Sequence, residues 1–208
     1  MSDAIEQVFS PASVKQRHKK CRVGVLISGG GSNMKALVAA SHLAQAPFEI
    51  NCVVSNRADA GGIAWADENG IPTKVINHKD YASRESFDAD LNDYLQTQRL
   101  DLIACAGFMR IMTPVLIKPW QGKMLNIHPS LLPLYKGLHT HARAIAAQDK
   151  EAGCSVHWVT ADLDGGSVIA QTRVPILAGD TPHTLAARVL VEEHKLYPAV
   201  ISQISHNR

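Results

Sequence analysis

An asparagine and a histidine two residues apart, Asn126 and His128, open the stretch NIHPSLLPLYKGLHTH that runs to residue 141. In extended chain, residues i and i+2 share a face, so a carboxamide and an imidazole at this spacing address the same small group. The amide can donate to a developing oxyanion while the imidazole moves a proton. Pro129 and Pro133 fix φ and stop the segment from continuing as helix, which makes a stiff loop. Downstream, DLDGG at residues 162–166 supplies two carboxylates, Asp162 and Asp164. A carboxylate beside His128 favours the charged ring and raises its pKa. Asn126, His128 and one of these carboxylates together suit acyl transfer, in which an oxyanion forms and a proton must be moved. No residue stands out as a covalent nucleophile. Among the ten histidines, His18, His42 and His78 read as surface residues and His157 as an ordinary strand residue.

The elements that must hold these groups have a βαβ rhythm. Residues 22–28 (RVGVLIS) form a short, continuous apolar run, as in a strand buried on both faces of a parallel sheet. It ends in Gly29-Gly30-Gly31-Ser32-Asn33, and residues 34–45 come next with helical periodicity. Strand, glycine turn and helix in that order gather backbone N–H groups and the positive end of a helix, where a phosphate binds. The turn can equally serve only to pack helix on strand. It has neither a Walker Lys-Ser/Thr ending nor a full GxGxxG. Strands are expected at 48–55, 73–76 and 101–106, and helices at 62–69 and 83–98, the latter capped by Ser83. Arg84 in that helix's first turn opposes the macrodipole, so it faces either an anionic ligand or solvent. Residues 107–112 (GFMRIM) suit a pocket wall for a flat ring, since methionine adapts to ring faces, although such residues also build cores. Thr113-Pro114 starts a short helix. Met124-Leu125 should end a strand and project Asn126 and His128 into the loop. A helix at 139–148 precedes strands at 154–160 and 168–174, which should pair antiparallel. Thr181 caps a last helix that Pro198 should kink or end. The fold predicted is α/β: a Rossmann-like open, mostly parallel twisted sheet flanked by helices, with an antiparallel strand pair near the C-terminal end.

Composition bounds the rest. With 208 residues, 46% of them apolar, the chain is the size of one large domain. A net charge of +2 with mixed signs gives no nucleic-acid footprint. Cys21, Cys52, Cys105 and Cys154 are widely separated, with no metal-site spacing. No run approaches the roughly 20 apolar residues that span a bilayer. Residues 1–21 read as a disordered, solvated leader, with no secretory signal. A cytoplasmic protein is expected.

SGGGSN, AGFMRI, NIHPSLLP, GLHTH and DLDGG, in this order and spacing, resemble the phosphoribosylglycinamide formyltransferase family over residues 22–203. NIHPSLLP with DLDGG marks the wider formyltransferase superfamily, and GLHTH narrows the match. The resemblance implies a catalytic domain at 22–208 that passes a formyl group directly from 10-formyltetrahydrofolate to glycinamide ribonucleotide in purine synthesis. It assigns oxyanion stabilisation to Asn126, acid–base work to His128 and its support to Asp164. It places the substrate phosphate on Gly31, Ser32 and Asn33, with Arg110, Pro129 and Glu193 as further substrate contacts. Folate falls to Arg84, Met109, Arg110, Ile111, Met112 and Asn126. It implies no metal and no nucleic-acid or membrane partner, and it is compatible with a homodimer. Gly30 departs from the family's more usual Asn. The rival readings are a methionyl-tRNA formyltransferase, a deformylase using water, and a non-catalytic nucleotide-binding module.

Overall fold

The computed structural model describes residues 19–207. Residues 1–18 lie outside it, and with them His18 and all but the last three residues of the expected leader. Of those three, Cys21 is buried and already opens the first strand.

The apolar runs form strands β1 Cys21–Ile27, β2 Phe48–Ser55, β3 Thr73–Val75, β4 Leu102–Cys105, β5 Met124–His128, β6 Glu151–Trp158 and β7 Val168–Pro175. Between and after them lie α1 Ser32–Ser41, α2 Gly61–Glu68, α3 Arg84–Thr97, α4 Pro114–Ile117, α5 Thr140–Ala146 and α6 Pro182–His206. The strands make one sheet in the order β3-β2-β1-β4-β5-β6-β7. Pairings from β3 through β5 are parallel. The expected antiparallel pair β6–β7 is present, and β6 also runs against β5.

Both faces of the parallel half are covered, which is why its strands are apolar without alternation. Val23, Val25 and Ile27 of β1 join Leu102 and Ala104 of β4 on the face packed by α1 and α6. Leu26, Ile103 and Cys105 point the other way, towards Phe87, Leu91 and Leu95 of α3 and Leu116 of α4. The helix start signals act as the sequence predicts. Ser83 and Thr181 each form a capping box, and Thr113 caps α4 ahead of Pro114.

Two expectations are corrected. β5 does not stop at Leu125: Asn126 and His128 lie within it, paired with His157 and Ser155 of β6. The antiparallel ladder holds these residues extended. The last helix does not end near Tyr197 either, but continues to His206 with Pro198 inside. An interior proline costs about 3 kcal/mol. Beyond it, Val200 and Ile201 join the core, and burying each such side chain recovers about 1.5–3 kcal/mol, so burial wins.

Tyr197 is fully buried, with its hydroxyl 3.1 Å from the carbonyl oxygens of both Cys105 and Leu125. It pins α6 across β4 and β5 one residue before Asn126. Tyr197→Phe should lower stability by about 1 kcal/mol, read as an earlier urea midpoint at unchanged slope. An unchanged midpoint would mean that ring packing alone seats the helix.

Candidate active site

Asn126 and His128, two apart on β5, turn the same way, and His157 stands directly opposite Asn126 on β6. Asn126 Nδ2 lies 3.2 Å from His157 Nε2. The His157 Nδ1–H donates to the Trp158 carbonyl at 2.9 Å, which leaves Nε2 to accept from the Asn126 amide. The His128 Nε2–H donates to the Tyr135 carbonyl at 3.0 Å, so Nδ1 is the nitrogen turned to Asp164 Oδ2, 3.4 Å away. The other Asp164 oxygen is 3.6 Å from His157 Nε2. The Gly137 N–H, from the GLHTH turn, donates to Asp164 Oδ2 at 2.9 Å. His128 thus faces the Asp164 carboxylate directly and Asn126 reaches it through His157, while Asp162 is exposed.

Burial works to raise the Asp164 carboxyl. The His157 contact, the Gly137 N–H and the two neighbouring imidazoles outweigh it and hold the carboxyl below its ordinary value. For His128 the balance goes the other way from the sequence expectation. Burial pushes the imidazole down, the Tyr135 carbonyl and the Asp164 carboxylate pull it up, and the net position is below 6.5. Asp164 raises the ring as expected, but desolvation is larger. His128 therefore rests neutral near pH 7, the form able to take a proton.

An open cleft of about 540 Å³, solvent at its mouth included, lies over this cluster. Phe108, Arg110, Ile111, Met112, Val159 and residues 160–164 line it, with Asn126 and His157 on its floor. One wall is thus apolar and the other bears carboxylates, a fit for a flat heteroaromatic ring with polar edges. Arg110 is half-buried, its guanidinium 5.5 Å from the centre of the Phe87 ring and its Nε without a partner. Met109 and Arg84 are exposed and do not line the cleft. Pro129 follows β5 and borders a second, smaller hollow.

Beyond β1, Gly31 caps α1 at φ 69, a left-handed conformation that favours glycine. It offers no capping side chain to the first-turn amides. Asn33, 8% exposed, donates through Nδ2 to Glu193 Oε2 at 2.6 Å, while its buried Oδ1 has no partner. Glu193 of α6 is thereby tied to the glycine turn.

The sequence pattern of the formyl transferase family matches residues 21–201. The chain belongs to this family. It is 45% identical to the phosphoribosylglycinamide formyltransferase of Escherichia coli (strain K12), over 88% of this chain and 87% of that protein. The crystal structure of the phosphoribosylglycinamide formyltransferase from Brucella melitensis is 49% identical and superposes with a TM-score of 0.86, covering 90% of this chain and 96% of the other. The human trifunctional purine biosynthetic protein adenosine-3 is 44% identical over 90% of this chain, which spans only 18% of that longer protein. The resemblance read from the motifs to phosphoribosylglycinamide formyltransferases is borne out at this level.

His157 is the site residue that formyltransferase motif reading misses. CSVHWVT alternates like any half-buried strand, and only the β5–β6 register turns His157 onto the face of Asn126.

Glu193 gives a measurable consequence. Burial raises its carboxyl above the ordinary 4.5, and the Asn33 N–H lowers it only partly. Stability linked to a raised carboxyl is fully present below the unfolded pKa and is lost as pH rises through the folded one. Glu193→Gln escapes that loss. Its melting temperature should match the wild type at about pH 4 and exceed it increasingly towards about pH 8. A pH-independent difference would mean that Glu193 carries no burial penalty.

Proposed function

We propose that this chain transfers the formyl group of 10-formyltetrahydrofolate to the amino group of glycinamide ribonucleotide, in a catalytic domain spanning 22–208. The observation that carries the proposal is the meeting of Asn126, His128 and Asp164 under a cleft with one apolar wall. The amine nitrogen attacks the formyl carbon, and the second pair of the C=O bond moves onto oxygen, where an Asn126 N–H not used by His157 receives it. His128 Nδ1 takes the proton released by the ammonium, and the Asp164 carboxylate steadies the imidazolium formed. Collapse of the oxyanion restores the C=O bond and breaks the bond to the folate nitrogen, which leaves with the proton that His128 had taken, returning the imidazole to neutrality. The apolar wall from Phe108 to Met112 supports the folate assignment. The Gly31 turn supports a phosphate on the first-turn amides of α1, with Glu193 beside it for the sugar side of the substrate. The proposed setting is cytosolic, with the two small-molecule substrates as partners, no nucleic acid or membrane, and room for a homodimer; the four free, buried cysteines and the lack of a membrane-spanning helix among the described residues support it.

Two variants test the halves of this reading. Gly31→Val places a β-branched side chain at a positive φ, with its Cβ 2.9 Å from Met34 Cε. It should raise the KM for glycinamide ribonucleotide by about tenfold or more and leave the folate KM nearly unchanged. Equal losses for both substrates would put the phosphate elsewhere. Asp164→Asn should lower kcat by about 10²-fold or more while ternary-complex affinity changes little. Because Asp164 pulls the His128 pKa up against burial, its removal should drop that pKa further and move the acid limb of the pH–rate profile to lower pH. Asp162→Asn is the control. An active Asp164→Asn enzyme with an unmoved limb would sink the His–Asp pairing.

A further inference from the structure

Ser28 closes the first strand run just ahead of the glycine turn, and neither the motifs nor the mechanism above gives it a role. It is 6% exposed. Its Oγ accepts the Met109 N–H at 2.7 Å and donates its own proton to Asn56 Oδ1 at 2.5 Å, while its backbone N–H donates to the Gly107 carbonyl at 3.1 Å. Asn56, 2% exposed, follows β2 and is itself fixed. Its carbonyl receives the His78 N–H at 3.2 Å, and its Nδ2 lies 3.1 Å from His78 Nδ1.

A serine hydroxyl has one proton and two lone pairs. With the proton committed to Asn56, a lone pair is aimed at Met109, so Asn56 sets the direction in which Ser28 grips the loop after β4. That loop has limited anchorage of its own. Phe108 and Met112 pack partly on the core, but the Met109 and Ile111 side chains are 63% and 55% exposed. The grip falls where β1 and β4 lie side by side and their following segments separate, with the proposed phosphate turn on one side and the proposed folate wall on the other.

We propose that Ser28, aimed by Asn56, is a positioning residue for the folate side of the reaction: it fixes the Met109 amide and with it the wall formed by Arg110 and Ile111. The inference rests on the reading of residues 107–112 as a folate wall. Removing the hydroxyl leaves the part-buried Met109 N–H and the buried Asn56 Oδ1 without this partner, and the loop escapes that cost by moving.

The test uses the whole chain and reads the grip and its consequence separately. In Ser28→Ala, hydrogen exchange of the Met109 amide should accelerate by about tenfold, the worth of one buried hydrogen bond, with α1 amides unchanged. Affinity for a folate analogue, by calorimetry, should weaken by about the same factor, with kcat and the KM for glycinamide ribonucleotide altered less than about twofold. Ser28→Thr, which keeps the hydroxyl, should restore both. Asn56→Ala should shift both in the same direction by less, and it carries the test if Ser28→Ala does not fold. A Met109 amide still protected, a loosened amide with folate affinity intact, or losses spread evenly over both substrates would each overturn the inference. Wild-type protein that binds no folate analogue would overturn the proposed function and this inference with it, whatever the exchange shows.

Discussion

The site depends on one topological constraint: β1 and β4 are hydrogen-bonded neighbours, yet the chain that follows each must leave the sheet's carboxyl edge separately. In an open α/β sheet this parting creates a crevice that no amount of side-chain packing can close. The glycine turn leads from β1 into α1, and the 107–112 segment leads from β4 towards α4. β5, next in the sheet, then delivers Asn126 to the crevice floor with His128 buried two residues on, and antiparallel β6 sets His157 beside Asn126. Had β6 joined in parallel, its chain direction would have reversed and the residue opposite Asn126 would have been a different one.

The floor is assembled at a cost in stability. Tyr135, whose carbonyl accepts from His128, has φ 55, and Asp164 has φ 47. Left-handed backbone costs a non-glycine residue about 1–2 kcal/mol. The buried imidazole of His128 and the buried carboxyl of Glu193 are both driven towards neutrality by desolvation. Asp164 is held the other way, its carboxyl kept below the ordinary value by the Gly137 N–H and the two neighbouring imidazoles. The outcome is one fixed negative charge beside one neutral base, the polarity that proton uptake from an ammonium requires. The proposed site thus carries both left-handed backbone and desolvated titratable groups, which the scaffold around it holds in place.

Features written in short-range chemistry were legible from the sequence. The caps Ser83, Thr113 and Thr181 need only neighbours two or three residues on, and the βαβ rhythm of the first half needs only runs and breaks. The shared face of Asn126 and His128 was legible because an i, i+2 offset carries its own geometry. The features that could not be read depended on partners remote in sequence. β5 extends through His128 because β6 pairs with it, and α6 passes Pro198 because the sheet buries its last turns. His157 is 31 residues from Asn126, a distance across which periodicity carries no information. The position of His128 between burial and Asp164 was also hidden, since a sequence shows which charges exist but not how much water surrounds them.

The choice between two nearly equivalent carboxylates shows how such a motif works physically. Asp162 and Asp164 are the same residue type two positions apart, and only Asp164 is succeeded directly by a glycine pair. In the folded loop, Gly166 lies so close to the end of β6 that a Cβ there would collide with the Trp158 carbonyl oxygen. Only glycine permits that approach, and it presses the loop back over the strand end. The left-handed turn at Asp164 then brings its carboxylate to His128, His157 and the Gly137 N–H, while Asp162 remains in solvent and contributes its carbonyl to the Gly165 N–H. Aspartate is among the few side chains that tolerate such a backbone. The glycines after Asp164 are therefore not ornaments of a catalytic signature. They set how close the loop comes to β6, and that closeness decides which of two identical side chains meets the histidines.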